Sequence, residues 1–260
     1  MVNVKKCVVV FKLFVLILTL SFVFNSCAKK YNVTKIEAKQ INISDNAASN
    51  QDIENYIAPF RKNIEKDLDS ILAFAPQTLD KSKGLWQTTI GDFLANLTLE
   101  KANVVFLKRE KKNIDMCLLN DGGIRAVLPK GNVTTRTAFE IMPFENTAIV
   151  IALKGEQIQE IANHIVSVKK PHPIAGLTFT IDKDNKVKNI KVKNEDLQLE
   201  KVYYVVTSDY LSSGGDNMNF FKKGVQSYDL NYKLRNILID YFKDVDTIVI
   251  PSEIKIIKEN

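Results

Sequence analysis

The chain has 260 residues, 45% of them hydrophobic, enough for one sizeable core or a domain with a smaller appendage, which excludes disorder as the default state. Its formal charge of +6 falls to +3 once residues 1–26 are set aside, because that stretch holds Lys5, Lys6 and Lys12 and no acid. So mild and unclustered a balance excludes a nucleic-acid polymer as the expected partner.

The first 27 residues read apart from the fold. MVNVKK is a basic start, CVVVFKLFVLILTLSFVF an apolar run broken only by Lys12, and FNSC places a small residue before Cys27. This is the layout of a secretory signal. Ser26 before Cys27 resembles a bacterial lipobox, in which Cys27 becomes the lipid-bearing first residue of the mature protein, although Phe24 and Asn25 depart from the strict motif. The alternative is an uncleaved anchor, since about 18 apolar residues just span a bilayer. Either form holds the chain to a membrane, facing the periplasm or exterior. With Cys7 removed and Cys27 modified, Cys117 has no partner, so no disulfide framework within one chain is expected.

Residues 28–50 read as a tether, a strand in VTKIEAKQINI and a polar loop, and residues 51–260 as one domain. IENYIAPFRKNIEKDLDSIL puts Ile53, Tyr56, Ile57, Phe60, Ile64, Leu68 and Ile71 on one stripe, predicting a long amphipathic helix around Pro59. TTIGDFLANLTLEKAN predicts a second helix, VVFLKR and IDMCLL short strands, and TTRTAFEIMP a threonine-capped helix stopped by Pro143. TAIVIALKG reads as a buried strand, and GEQIQEIANHIVS as a helix with Ile158, Ile161, Ala162 and Ile165 inward. LTFTIDKDNKVKNIKVK alternates as a hairpin with Lys183 to Lys186 at its tip. KVYYVVTSDYL reads as a strand, SSGGDNMNFF as a glycine turn, LNYKLRNILIDYF as a helix and TIVIP as a last strand. Strands and helices interleave without strict alternation, so the predicted class is α+β, with mixed β-sheets and flanking helices.

Two glycine pairs follow strands. In LLNDGGIRAVLP, Gly122 and Gly123 offer backbone angles closed to other residues and amides that approach an anion directly. Arg125 adds a guanidinium fork suited to phosphate or carboxylate, and Asn120 a donor and an acceptor. NDGG is also a good β-turn, and an arginine after a turn is commonly just solvated. In TSDYLSSGGDNMNFF, Asp216 suits two ribose hydroxyls and Tyr210 offers a ring face to a base. The alternatives are a core tyrosine and a helix-capping aspartate. IMPFENTAIV adds Phe144 and Asn146 just past a proline stop.

Taken in order, NDGGIR, MPFEN, KGEQI, AGLTFTID and YYVVTSDYLSSGGD resemble the C-terminal domain of the 5′-nucleotidase family, from about residue 30 to 257. The resemblance implies a layered sandwich of sheets and helices that grips a nucleoside or nucleotide. It assigns Arg125 to the phosphate, Asn120 and Asn146 to the base, Asp216 to the ribose, and Phe144 and Tyr210 to stacking on the base, with Gly122 and Gly123 at the closest approach. Some positions depart from the family. Gln87 stands where an acid is expected, Asn96 where an aspartate is usual, and Asn217 where a glycine commonly follows GGD. Lys81 or Lys83 stands in for a phosphate arginine, as a point charge in place of a fork.

Family enzymes hydrolyse phosphate esters with two metals held by an N-terminal metallophosphoesterase domain, which needs half a dozen or more His, Asp and Asn ligands. This sequence has two histidines. His164 sits on the outer side of its helix and His172 between prolines, and both read as surface or loop residues. No catalytic residue, metal or other cofactor is therefore expected in this chain. Divalent metals would belong to a separate metallophosphoesterase chain that completes an extracytoplasmic nucleotidase. The alternatives are a lipid-anchored nucleoside or nucleotide binder without catalysis, and a degenerate scaffold.

Overall fold

A computed structural model describes residues 4–23, 31–42, 44, 48–82 and 84–259. The chain divides into two units, Met1–Gln51 and Asp52–Asn260. In the first, helix α1 spans Val4–Val23. Among the described residues no helix is long and apolar enough to cross a membrane. The strand expected in VTKIEAKQINI does not form: residues 31–42 carry no helix or strand, and Val33 and Ile36 are exposed. Alternation alone does not make a strand, which needs a ladder partner and a face to bury. Cys27 lies outside the described residues.

Helix α2 (Gln51–Leu68) belongs to the second unit from Asp52 onward, and Pro59 sits in it without ending it. None of its residues is buried, and Tyr56, Phe60 and Ile64 are exposed. Ile71 is not on that stripe; it starts β1 (Ile71–Ala75). Next comes α3 (Thr89–Glu110), capped by the Thr88 side chain, which accepts from the Gly91 N–H, and closed by Lys111 in the left-handed region. VVFLKR, expected as a strand, is the end of this helix. A capped helix propagates at little cost per residue, and Ala102 and Phe106, four apart, bury the same face.

In chain order there follow β2 (Met116–Leu118), β3 (Gly131–Thr134), α4 (Thr135–Ile141), β4 (Thr147–Lys154), α5 (Gly155–Val168), β5 (Ile174–Ala175), β6 (Leu177–Ile181), β7 (Val187–Val192), β8 (Glu195–Asp196), β9 (Val202–Ser208), α6 (Asp209–Ser212), β10 (Gln226–Lys233), α7 (Leu234–Asp244) and β11 (Ile256–Lys258). LNYK thus belongs to β10, ahead of the helix. TIVIP supplies only a bridge from Thr247 to Phe74, and the last strand comes later.

The central sheet is mixed and runs β10-β4-β9-β2-β5. β4 and β9 are antiparallel from Ala148 opposite Ser208 to Lys154 opposite Val202, whereas β2 lies parallel to β9. Both faces are covered. Ala148 and Val150 of β4 point to a core shared with α3, α4, α7 and β1. Ile149, Ile151 and Leu153 point to a second core with α5 and the four-stranded sheet β11-β6-β7-β8. A strand buried on both faces reads as a continuous apolar run, as TAIVIAL does. The result is the predicted α+β sandwich, and the ends of β2, the α4–β4 connection and the end of β9 meet at one edge.

Candidate functional site

The first glycine loop leaves β2 at Leu118. Leu119 N–H donates to the Pro173 carbonyl at 2.9 Å, and Asp121–Gly123 form a 3-10 turn. Lys81 clamps that turn from outside, its Nζ donating to the carbonyls of Asp121 at 3.3 Å and Ile124 at 3.0 Å. It therefore holds the loop backbone, and with Gly122 and Arg125 it lines a hollow of about 360 Å3 behind it. Lys83 lies outside the described residues. Neither Gly122 nor Gly123 has a positive φ, so special backbone angles are not what they provide. They provide room. A Cβ on Gly123 would lie 2.9 Å from Asn120 Oδ1, while one on Gly122 would meet only Asn120 Nδ2, at 3.6 Å, and would stand in the cleft.

The second loop leaves β9 at Ser208, whose side chain accepts from the Leu211 N–H and starts α6. Gly214, Asp216 and Asn217 all have positive φ. Asn217 adopts it in place of a glycine, as asparagine does more readily than most residues. A Cβ on Gly215 would lie 2.5 Å from the Tyr210 ring, so the absence of a side chain there lets the ring lie across the turn. Tyr210 is 46% exposed, which removes the core reading. Asp216 caps no helix; its carboxylate accepts from Tyr210 OH at 2.9 Å and from Asn120 Nδ2 at 2.8 Å. Asn120 thus spends one amide hydrogen on Asp216.

The third piece, Phe144–Asn146, is fixed by a residue that sequence reasoning missed. Arg235, buried at the start of α7, sends Nη1 to the carbonyls of Met142 and Phe144, each at 3.4 Å, lies over the Phe139 ring at 4.1 Å and pairs with Glu145. Lys233 also pairs with Glu145, and the bonds from Lys233 and Arg235 hold that carboxyl below its usual range. Leu234 N–H donates to the Asn146 carbonyl at 2.9 Å. No local motif marks Arg235; the partner it grips lies ninety residues earlier. Phe144 is left 42% exposed, and the Arg125 guanidinium sits 5.7 Å from the centre of its ring, within cation–π range.

Asn120, Gly122, Gly123, Arg125, Phe144, Asn146, Tyr210 and Asp216 together line one cleft of about 320 Å3. Its lining supplies a cation, a carboxylate held by two donors, two exposed rings and the Asn146 amide. That set suits a ligand with an aromatic body, vicinal hydroxyls and an anionic group. Gln87 is not part of it. Its Nε2 donates to Asp92 Oδ2 at 2.9 Å and its Oε1 accepts from the Lys255 N–H at 2.9 Å, tying α3 to the C-terminal segment.

His172 lies in a loop, as expected, but neither histidine is exposed. His172 is 3% exposed and burial pushes its pKa down to about 4. His164 is partly buried, with Nε2 shut off from solvent and without a partner. Among the described residues no group of three or more His, Cys, Asp or Glu side chains could hold a metal ion, so the residues present do not fit a two-metal centre.

Residues 71–223 match the family model described as 5′-nucleotidase, C-terminal domain. The trifunctional nucleotide phosphoesterase protein YfkN of Bacillus subtilis is 25% identical over 84% of this chain and 16% of its own length. A 5′-nucleotidase of Vibrio parahaemolyticus is 24% identical over 72% of this chain and 33% of its own. The chain therefore spans a third or less of these relatives. Among solved structures, a 5′-nucleotidase precursor of Thermus thermophilus superposes with a TM-score of 0.67 at 24% identity, over 80% of this chain and 43% of that one. The superposition carries the fold, and the family model covers more than half of the 260 residues; the chain belongs to the 5′-nucleotidase C-terminal domain family.

Proposed function

We propose that this domain is the nucleoside- and nucleotide-binding part of an extracytoplasmic 5′-nucleotidase, lipid-anchored through Cys27, with two-metal chemistry supplied by a metallophosphoesterase on a separate chain. One observation carries the reading: eight residues from three separate loops converge on a single cleft whose groups match a base, a ribose and a phosphate. Arg125 would take the phosphate, Asp216 the ribose hydroxyls, Asn146 and the remaining capacity of Asn120 the base edge, and Phe144 and Tyr210 its faces. What supports placing the metal chemistry outside these residues is that ester hydrolysis by two metals needs a ligand set that the described residues do not assemble.

Calorimetric titration of the full chain with adenosine and with AMP tests the reading. Adenosine and AMP should both bind, Asp216→Ala should abolish both, and Arg125→Ala should weaken AMP alone. Arg125→Ala weakening adenosine and AMP equally would remove the phosphate role. Failure of the wild-type chain to bind either ligand, alone or with a metallophosphoesterase partner added, would end the proposal.

A further inference from the structure

The two histidines lie between the two glycine loops, and nothing in the ligand cleft accounts for them. Asp121 N–H, in the first loop, donates to His172 Nδ1 at 3.2 Å. The His172 ring stacks on His164 of α5, with centroids 6.0 Å apart and planes at 28°. His164 in turn meets Phe220 edge-on at 5.6 Å, in the 3-10 turn Asn219–Lys223 that follows Asp216. A run of three rings thus spans from the backbone of one ligand loop to the turn carrying the other. Pro171 and Pro173 on either side of His172 restrict the backbone that presents it.

We propose that His172, supported by His164, is a positioning residue that sets the separation of the two loops by accepting the Asp121 N–H as a neutral ring. The inference rests on the nucleoside-binding reading above and adds to it the device that holds the cleft at its working width. A backbone N–H can only donate, so Nδ1 must carry the lone pair and Nε2 the proton. Protonation turns Nδ1 into a donor facing a donor and places a charge against the second imidazole. The charged groups around His172 are divided. Asp216 and Asp121 favour the charged ring, Lys170 and His164 oppose it, and burial outweighs them all in favour of the neutral form. Around His164, Asp216 favours charge and burial opposes it; Glu160 and Lys223, on the same groove, pair with each other.

The test uses the full chain labelled with 15N. Imidazole nitrogen shifts should show His172 neutral with its proton on Nε2 at pH 5.5, where an ordinary histidine is roughly ten parts in eleven charged. Exchange of the Asp121 amide should accelerate about tenfold or more in His172→Phe, which keeps a ring and loses the acceptor. It should return to within about threefold of wild type in His172→Asn, whose Oδ1 takes the place of Nδ1. Adenosine affinity should follow the same order, reduced about tenfold by Phe and restored by Asn. A proton on Nδ1, an ordinary titration near pH 6.5, or an Asp121 amide indifferent to the Phe variant would each overturn the proposal, and the first two need no variant. Absence of adenosine binding in wild type, with the ring and exchange results as expected, would instead overturn the nucleoside reading and leave the loop-positioning role standing.

Discussion

Asn120 and Asp216 sit on different glycine loops, 96 residues apart in the chain, yet Nδ2 of the first donates to Oδ2 of the second at 2.8 Å. Tyr210 OH donates to the other carboxylate oxygen at 2.9 Å, so the aspartate is oriented before any ligand arrives. Orientation in advance lowers the cost of binding. Tyr210→Phe keeps the ring and removes that restraint on the carboxylate, together with the bond the hydroxyl accepts from the Asp216 N–H at 3.3 Å. For an exposed site, a hydrogen bond to a charged group here is worth about 1 kcal/mol, so adenosine should bind about fivefold more weakly, against complete loss in Asp216→Ala. An unchanged dissociation constant in Tyr210→Phe would show that Asp216 needs no such restraint.

The two glycines of the first loop should respond differently to a methyl group. Gly122→Ala meets only ordinary contact, with its Cβ 3.6 Å from Asn120 Nδ2, so stability should change by no more than about 0.5 kcal/mol while adenosine binding weakens. Gly123→Ala brings a Cβ to 2.9 Å from Asn120 Oδ1 and should turn that amide away from Asp216, lowering both stability and affinity. Denaturant melts paired with titrations separate the two; equal behaviour in both assays would contradict this division of roles.

The two glycine loops are legible in the sequence because each is a local word: a strand end, two glycines and a polar residue close together. The mixed sheet was legible for a related reason, since TAIVIAL and KVYYVVT are apolar runs of strand length. What holds the loops was not legible. Arg235 on Glu145, Lys255 on Asp92 and His172 on Asp121 join segments 90, 163 and 51 residues apart, and no spacing rule reaches that far. VVFLKR has a β-branched pair that suits a strand, but it continues a helix already nucleated and capped behind it. Two adjacent glycines suggest unusual φ, whereas Gly122 and Gly123 have none and leave space instead.

Lys255 is the clearest of these hidden ties. Its side chain is fully buried, with Nζ 2.9 Å from Asp92 Oδ1 and 2.7 Å from the Ile174 carbonyl. Lys255→Met strands a carboxylate in the interior and should cost about 3–5 kcal/mol, while Lys255→Met with Asp92→Leu, which removes both charges, should recover most of it. Urea unfolding measures this. Neither residue lines the cleft, so adenosine affinity of the folded fraction should stay unchanged in both. A double variant no more stable than the single one would place the cost in packing instead of stranded charge.

The depressed pKa of His172 makes stability depend on pH with a defined sign. The unfolded chain takes up a proton at this residue near pH 6.5, whereas the folded chain does so only near pH 4. Between those values the unfolded state binds more protons, so stability rises with pH there and falls as pH drops through the window. The slope from one proton is at most about 1.4 kcal/mol per pH unit, and His164, also shifted down by burial, adds in the same direction. Carboxylates titrate in the lower part of the same range, so the discriminating quantity is the difference between wild type and His172→Asn in urea midpoints. That difference should be constant above pH 7 and should move steadily against wild type from pH 6.5 towards pH 4. Parallel curves across the whole range would mean that His172 carries its proton in the folded protein as readily as in the unfolded one, which is incompatible with a ring that accepts from Asp121.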